Sequence, residues 1–467
     1  MQRRGERGRL AVAGGEYCDA RAAVSPGSAP ESNPLSRNHA VAHFLEPGRA
    51  ADAARAERLR STPSRRTGAS ENVVSTTLEV VPVDEAKPFS KAAARAAERT
   101  WPLYAVLFAS VSIVVGLIWD ISWHRSIGRD TFWSPPHVLE QFAAVVAGTS
   151  CGWLVLRTTF GGSAGDRASG VRVWGFRGPL GAWVCIWGTL TMVVSAPFDN
   201  WWHNAYGLDV KIMSPPHMVL AWGMIAIQVG AMLMALARQN RAVPGEQRRL
   251  GVLYAVSAGI LLTMHATVLM EYAAFPNDMH AARFYRLTAI GMPLILVATA
   301  RASRLRMPAT TTAAVYMGVV LLLMWTLQLF PATAKLAPIY NPVTRMVPPP
   351  FPLLLVVPAV AVDLLMRRVR GRDWVLATAL GVAFVLLMLA AHWWWGEFLL
   401  SPRARSFVFA ADQWDYYIKL GDWRYEFWNA EKSALAFARG IAIAIVTAVV
   451  TSRAGLWIGS GMTRVQR

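Results

Sequence analysis

Cysteine is nearly absent from this sequence: three thiols in 467 residues, Cys18, Cys151 and Cys185, the last two inside apolar runs. That scarcity supports neither a disulfide framework nor a thiolate metal cluster. Charge is scarce too, at 16% of residues, and it leans basic, with 47 Lys and Arg against 29 Asp and Glu. A net charge of +18 raises nucleic acid as a partner, but no basic patch with interleaved aromatics accompanies it and the arginines fall between apolar runs. No nucleic-acid partner is expected. Also missing, in any useful context, are the phosphate-loop, GxSxG and HExxH patterns. Residues 1–98 contain no apolar core of the kind a signal peptide needs.

Hydrophobic residues are what the chain has in excess: 54% of it, with 20 tryptophans. This is the composition of an integral membrane protein. Residues 1–98, rich in Arg, Ala, Ser, Pro and Gly with no sustained apolar period, read as a disordered cytoplasmic tail. Beyond them, apolar runs near the ~20 residues that cross a bilayer follow one another. They lie at 102–123, 137–159, 178–198, 216–238, 249–272, 284–302, 312–330, 351–367, 374–395 and 435–457. The expected fold is therefore an all-α polytopic membrane protein of about ten transmembrane helices.

The connections after every second run are dense in arginine: "RASGVRVWGFRG", "RQNRAVPGEQRR", "RASRLR" and "RRVRGR". By the positive-inside rule they are cytoplasmic, as are both termini, in a membrane of the bacterial inner (cytoplasmic) type. His124, His137, His203, His217, His265, His280 and His392 then all fall at outer helix ends or outer connections. Each one alone is at home in an interfacial belt of Trp and His. Seven on one side and none on the other is harder to explain that way.

Four of these histidines belong to a repeat. "DISWHRSIGRDTFWSPPH" at 120–137 returns as "DNWWHNAYGLDVKIMSPPH" at 199–217, pairing Asp120 with Asp199, His124 with His203, Asp130 with Asp209 and His137 with His217. The copies are two helices apart, so they make parallel helix-hairpin repeats with both polar clusters on the outer side. A helix running through Asp120 and His124 puts carboxylate and imidazole on one face, and the Pro-Pro pair starts the next helix with His137 near its beginning. A helix N-terminus disfavours imidazolium and keeps a nitrogen lone pair available. Two histidines and a carboxylate suit copper, zinc or non-haem iron, and spacing does not choose among them. The rival is an ionic cap pairing Asp120 with His124, which does not explain a second histidine fixed thirteen positions later. The stretch "LFPATAKLAPIYNPVTRMVPPPFPLLL" at 329–355 reads as a worn third copy, with Phe351 in the histidine position.

Asp120, Trp123, His124, Arg129, Asp130, Thr131, Ser134, Pro135, His137 and Glu140 together resemble the metal-site segment of the C subunit of particulate methane and ammonia monooxygenases. The resemblance covers about residues 100–300. It implies that Asp120, His124 and His137 are copper ligands near the outer face. It further implies that Asp199, His203 and His217 frame a second site, with Asp199 where the family typically has Asn, which makes that site more anionic. It also implies dioxygen activation to hydroxylate a small apolar substrate, A- and B-type partner subunits and a homo-oligomeric assembly. Asp130, Glu140, Asp209, Glu271 and His280 are the candidates to support the ligands.

On this reading residues 99–303 form a six-helix metal-site domain and 304–467 add four helices with an outer segment, 396–434. That segment mixes aromatics with Asp412, Asp415 and Asp422, as a lid or a docking surface does. The rival in another class is a non-catalytic copper- or zinc-handling membrane protein. A third reading, a haem or quinone subunit, leaves the repeated Asp-x3-His unused.

Overall fold

A proline at the start of a helix fixes φ where no N–H is needed, and it drives the residue before it into extended backbone. In the computed structural model Ser134 and Ser214, each before a Pro-Pro pair, have ψ of 139° and 157°, and a long helix begins at the next residue. The structure describes residues 100–466 except 132, 207–213, 271, 274, 370 and 429–430. The expected disordered tail, Asp209 and Glu271 lie outside the described residues.

Among the described residues the chain is all-α apart from one small hairpin. Its elements are α1 Trp101–Ser126, α2 Pro135–Phe160, the short α3 Ala164–Ala168, β1 Val171–Val173, β2 Phe176–Gly178, α4 Leu180–Tyr206 and α5 Pro215–Arg241. These are followed by α6 Pro244–Met270, α7 Ala282–Ala302, α8 Pro308–Leu327, α9 Val356–Arg368, α10 Asp373–Leu400 and α11 Ala434–Met462. The arginine-rich connection after α2, read from sequence as a plain loop, contains the antiparallel β1–β2 pair, whose turn places Trp174 at φ 48° and Gly175 at φ 90°. Both positive values are what a two-residue hairpin turn requires.

Eight of these helices are long and apolar enough, among the described residues, to cross a membrane. This is the profile of a multi-pass membrane protein in a lipid bilayer. Two of the ten expected spans differ. The run at 351–367 becomes α9, only 13 residues long, which at 1.5 Å per residue reaches about 20 Å, against a hydrocarbon core of about 30 Å. Its first five residues, 351–355, stay outside the helix, next to Pro348, Pro349 and Pro350 and including Pro352, because adjacent prolines cannot supply helical N–H groups. The other, α7, carries Arg283, Arg286 and Arg301 near its ends.

α1 packs on α2 and α5, and α4 packs on α2 and α5, so the two hairpins close into a four-helix arrangement. α6 extends it beside α5, while α7 and α11 form another extensive pair, flanked by α10. The α4–α5 seam is lined by glycine. A Cβ on Gly181 would stand 2.5 Å from the Gly230 carbonyl oxygen, and one on Gly188 would stand 2.8 Å from that of Gly223. No side chain fits there, and the backbones touch, as helices do when lipid rather than water surrounds them.

Candidate metal centre

α1 runs without a break through Asp120 and His124, so the two side chains share its face. It ends at Ser126, and two residues on Gly128 takes φ 81°, a value that L side chains rarely adopt. The loop that follows is stitched down by short local bonds. Trp123 Nε1 donates to the Arg129 carbonyl at 3.0 Å, the Thr131 amide donates to Ser134 Oγ at 2.9 Å, and the Ser134 amide donates back to the Thr131 carbonyl at 2.9 Å. This turn carries Asp130 back over the hairpin and delivers His137 in the first turn of α2.

Four donor atoms meet here, one each from Asp120, His124, Asp130 and His137, all within 4.8 Å of one another. His124 Nε2 is 3.7 Å from Asp120 Oδ2 and 3.5 Å from Asp130 Oδ2. His137 Nε2 is 3.1 Å from Asp120 Oδ1 and 3.5 Å from Asp130 Oδ2. Metal bonds of about 2.1 Å in a tetrahedron place ligand atoms about 3.4 Å apart. The four measured separations bracket that value.

The chemistry of the donors fits a cation as well as the distances do. His137 Nδ1 lies 3.0 Å from the Thr131 carbonyl oxygen, which only accepts, so Nδ1 carries the proton and donates it. In the neutral ring Nε2 is then a lone pair facing carboxylate oxygens, acceptor against acceptor. Asp120 Oδ1 is buried, and that nitrogen at 3.1 Å is the one polar group that approaches it among the described residues. A proton or a metal ion between them relieves the repulsion. The Thr131 carbonyl also fixes the ring's orientation, the usual role of a second partner on a ligating histidine.

Glu140 lies one turn further along α2, 3% exposed, with Oε1 lacking a hydrogen bond. Gly116 on α1 makes room for it, since a Cβ there would stand 2.6 Å from Glu140 Cγ. The carboxyl thus sits behind the cluster rather than in it.

The second copy also comes together. His203 Nε2 is 3.4 Å from Asp199 Oδ2, and His217 Nε2 is 3.6 Å from Asp199 Oδ1. The position equivalent to Asp130 is Asp209, outside the described residues. His280 is used elsewhere: its ring is stacked between Trp393 at 3.8 Å and Phe427 at 3.5 Å, and Nε2–H donates to the Trp393 carbonyl at 3.2 Å. Burial pushes its imidazole pKa below the ordinary value. His265 packs against Gly291, and His392, fully buried, donates from Nδ1 to the Met388 carbonyl at 3.1 Å. None of these three contacts joins either cluster.

From sequence Asp130 was a candidate to support the ligands; in the structure it stands among them, its Oδ2 3.5 Å from both histidines. Its recurrence as Asp209 was the available signal.

Fold and cluster together define a class: a helical membrane-type protein with an Asp/His group at one end of the bundle that can hold a metal ion. Comparison with family models, with curated proteins and with solved structures finds no match to this chain.

Proposed function

We propose that this chain is a copper-binding integral membrane protein related to the C subunit of the copper membrane monooxygenases, with its sites toward the outer face. Asp120, His124 and His137 hold the first ion, with Asp130 available as a fourth donor, and Asp199, His203 and His217 frame a second site. The observation that carries this is the set of four donor atoms at metal-ligand spacing around Asp120. The donor set alone admits zinc or iron, and copper rests on the resemblance of residues 120–140 to the family segment. Bound copper supplies one-electron chemistry toward dioxygen, directed at a small apolar substrate, in company with A- and B-type subunits. The protein's own contribution is to orient His137 through Thr131, to keep Asp120 desolvated, and to hold Glu140 behind the site.

The test is elemental analysis with EPR on the detergent-purified protein and on a His124→Ala/His137→Ala variant, both after equal exposure to copper, zinc and iron. Copper retained near stoichiometry with a nitrogen-rich type 2 signal, and lost in the variant, is the expected result. Equal metal in both proteins, or none in either, overturns the reading and leaves an ionic cap.

A metal-handling role without catalysis shares the same ligands. The crowding of donors at one end of the bundle favours a resident ion over a path through it. Slow loss of copper to a strong chelator, together with donor-dependent oxygen consumption, separates the first role from the second.

A further inference from the structure

The segment between α10 and α11 has no counterpart in the repeat, yet it reaches back 290 positions to the first cluster. Arg125, the residue after His124, donates from Nε to Asp415 Oδ1 at 2.5 Å, and both side chains are largely shielded from solvent. The next residue, Tyr416, donates its amide to the Arg125 carbonyl at 3.1 Å. Its ring lies over Gly128, where a Cβ would stand 2.8 Å from Cε1. The connection between α8 and α9 completes the grip. The Lys335 amide donates to the Ile127 carbonyl at 2.8 Å, the Val347 amide to Ser126 Oγ at 2.7 Å, and the Tyr340 and Asn341 amides to the Tyr416 carbonyl at 2.9 and 2.8 Å.

Residues 125–128 are thus held from two distant parts of the chain, and they are the backbone that connects His124 to Asp130. Among the described residues the second copy shows no such hold. Asn204, Ala205 and Tyr206 replace Arg125, Ser126 and Ile127, and all three are exposed.

We infer that Asp415, acting through Arg125, with Tyr416 over Gly128, is a positioning device that sets His124 and Asp130 at ligand distance and confines that preorganisation to the first copy. A ligand pair separated by a loop gains affinity when the loop is already ordered, because the ion need not order it. A charge-assisted bond between shielded partners orders it more firmly than an exposed pair does. The inference rests on the metal-site reading for its consequence, but not for its geometry.

The experiment uses the full chain in detergent with His203→Ala/His217→Ala as background, so that the first copy alone reports. Copper is titrated against a competing chelator in this parent, in Asp415→Ala, in Arg125→Ala and in the reciprocal pair Arg125→Asp/Asp415→Arg. The single variants are expected to bind copper about 10- to 100-fold more weakly, as loss of a ligand's supporting partner does, with altered EPR hyperfine splitting. The reciprocal pair recovers most of the loss. Asp415→Asn replaces Asp415→Ala where alanine yields no folded protein. Parent-like affinity and spectrum in the single variants overturn the inference. If the parent binds no copper, the metal reading fails and amide hydrogen exchange decides the positioning claim. Faster exchange at 125–131 but not at 200–206 in Asp415→Ala supports it, and unchanged exchange at 125–131 refutes it.

Discussion

Asp120 and Asp199 occupy equivalent places in the two hairpins, and each meets two histidines. Asp120 does so with Asp130 closing the group, a stitched loop above, and residues 125–128 held from two distant connections. Around Asp199 the contacts are 3.4 and 3.6 Å, and Asn204, Ala205 and Tyr206 lie open to the surroundings. Ser134 Oγ accepts from the Thr131 amide, whereas its twin Ser214 Oγ is buried without a partner. Among the described residues, then, the ligand spacing recurs while the contacts of Arg125, Ser126 and Ser134 do not. Donors alone bring a site together; the layer behind them sets how rigid it is, and rigidity separates a tight site from a loose one.

The comparison breaks most sharply at the aspartates. Asp120→Ala is expected to lower copper affinity at the first copy by more than about 100-fold, beyond the cost of losing an outer partner. Asp199→Ala should leave that tight fraction intact in a chelator titration. Equal losses from both would mean that the two copies act as one site.

A second break lies in the seam. Gly188→Leu forces a side chain into the backbone of α5, 2.8 Å from the Gly223 carbonyl and 2.9 Å from the Ile227 amide. Overpacking of this kind costs about 1–3 kcal/mol or more. It should appear as a lower melting temperature and as disturbed copper binding at the second copy before the first.

Smaller effects sharpen the contrast. Ser134→Ala removes an acceptor from the Thr131 amide and should cost about 1 kcal/mol with a several-fold weaker first site, whereas Ser214→Ala, losing no hydrogen bond, should cost less in the same unfolding assay.

The smallest effect concerns a histidine outside both copies. Burial holds the His280 pKa below its ordinary 6.5. The unfolded chain therefore takes up a proton first as pH falls, and the stability tied to neutral His280 is present above pH 6.5 and fades below it. His280→Phe should flatten that part of the acid limb of a melting-temperature profile, measured without metal.

Much of the architecture was legible because apolar run length is a strong signal and prolines punctuate it: Pro135 and Pro215 mark the starts of α2 and α5 as the Pro-Pro pairs imply. The meeting of Asp120 with His124 follows from four residues of helix, and that of His137 from a hairpin. Three things were not legible. The 351–367 run is apolar enough, but its prolines leave only α9 as helix. The β1–β2 hairpin depends on Trp174 accepting a left-handed backbone that its residue type does not announce. The bond from Asp415 to Arg125 has no local signature, since a carboxylate in a long connection looks the same whether it faces solvent or a guanidinium 290 positions away.

The glycine seam between α4 and α5 also bears on the second Asp/His group from a distance. Gly188 lies eleven residues before Asp199, roughly 16 Å along the helix axis at 1.5 Å per residue. Backbone in contact with backbone at that depth leaves the two rods little freedom to slide or roll against each other. His203 rides on one rod and His217 on the other, so their spacing is gauged from below, as the tips of calipers are by a screw near the pivot. The gap between the two histidines is then set by a joint that neither of them touches.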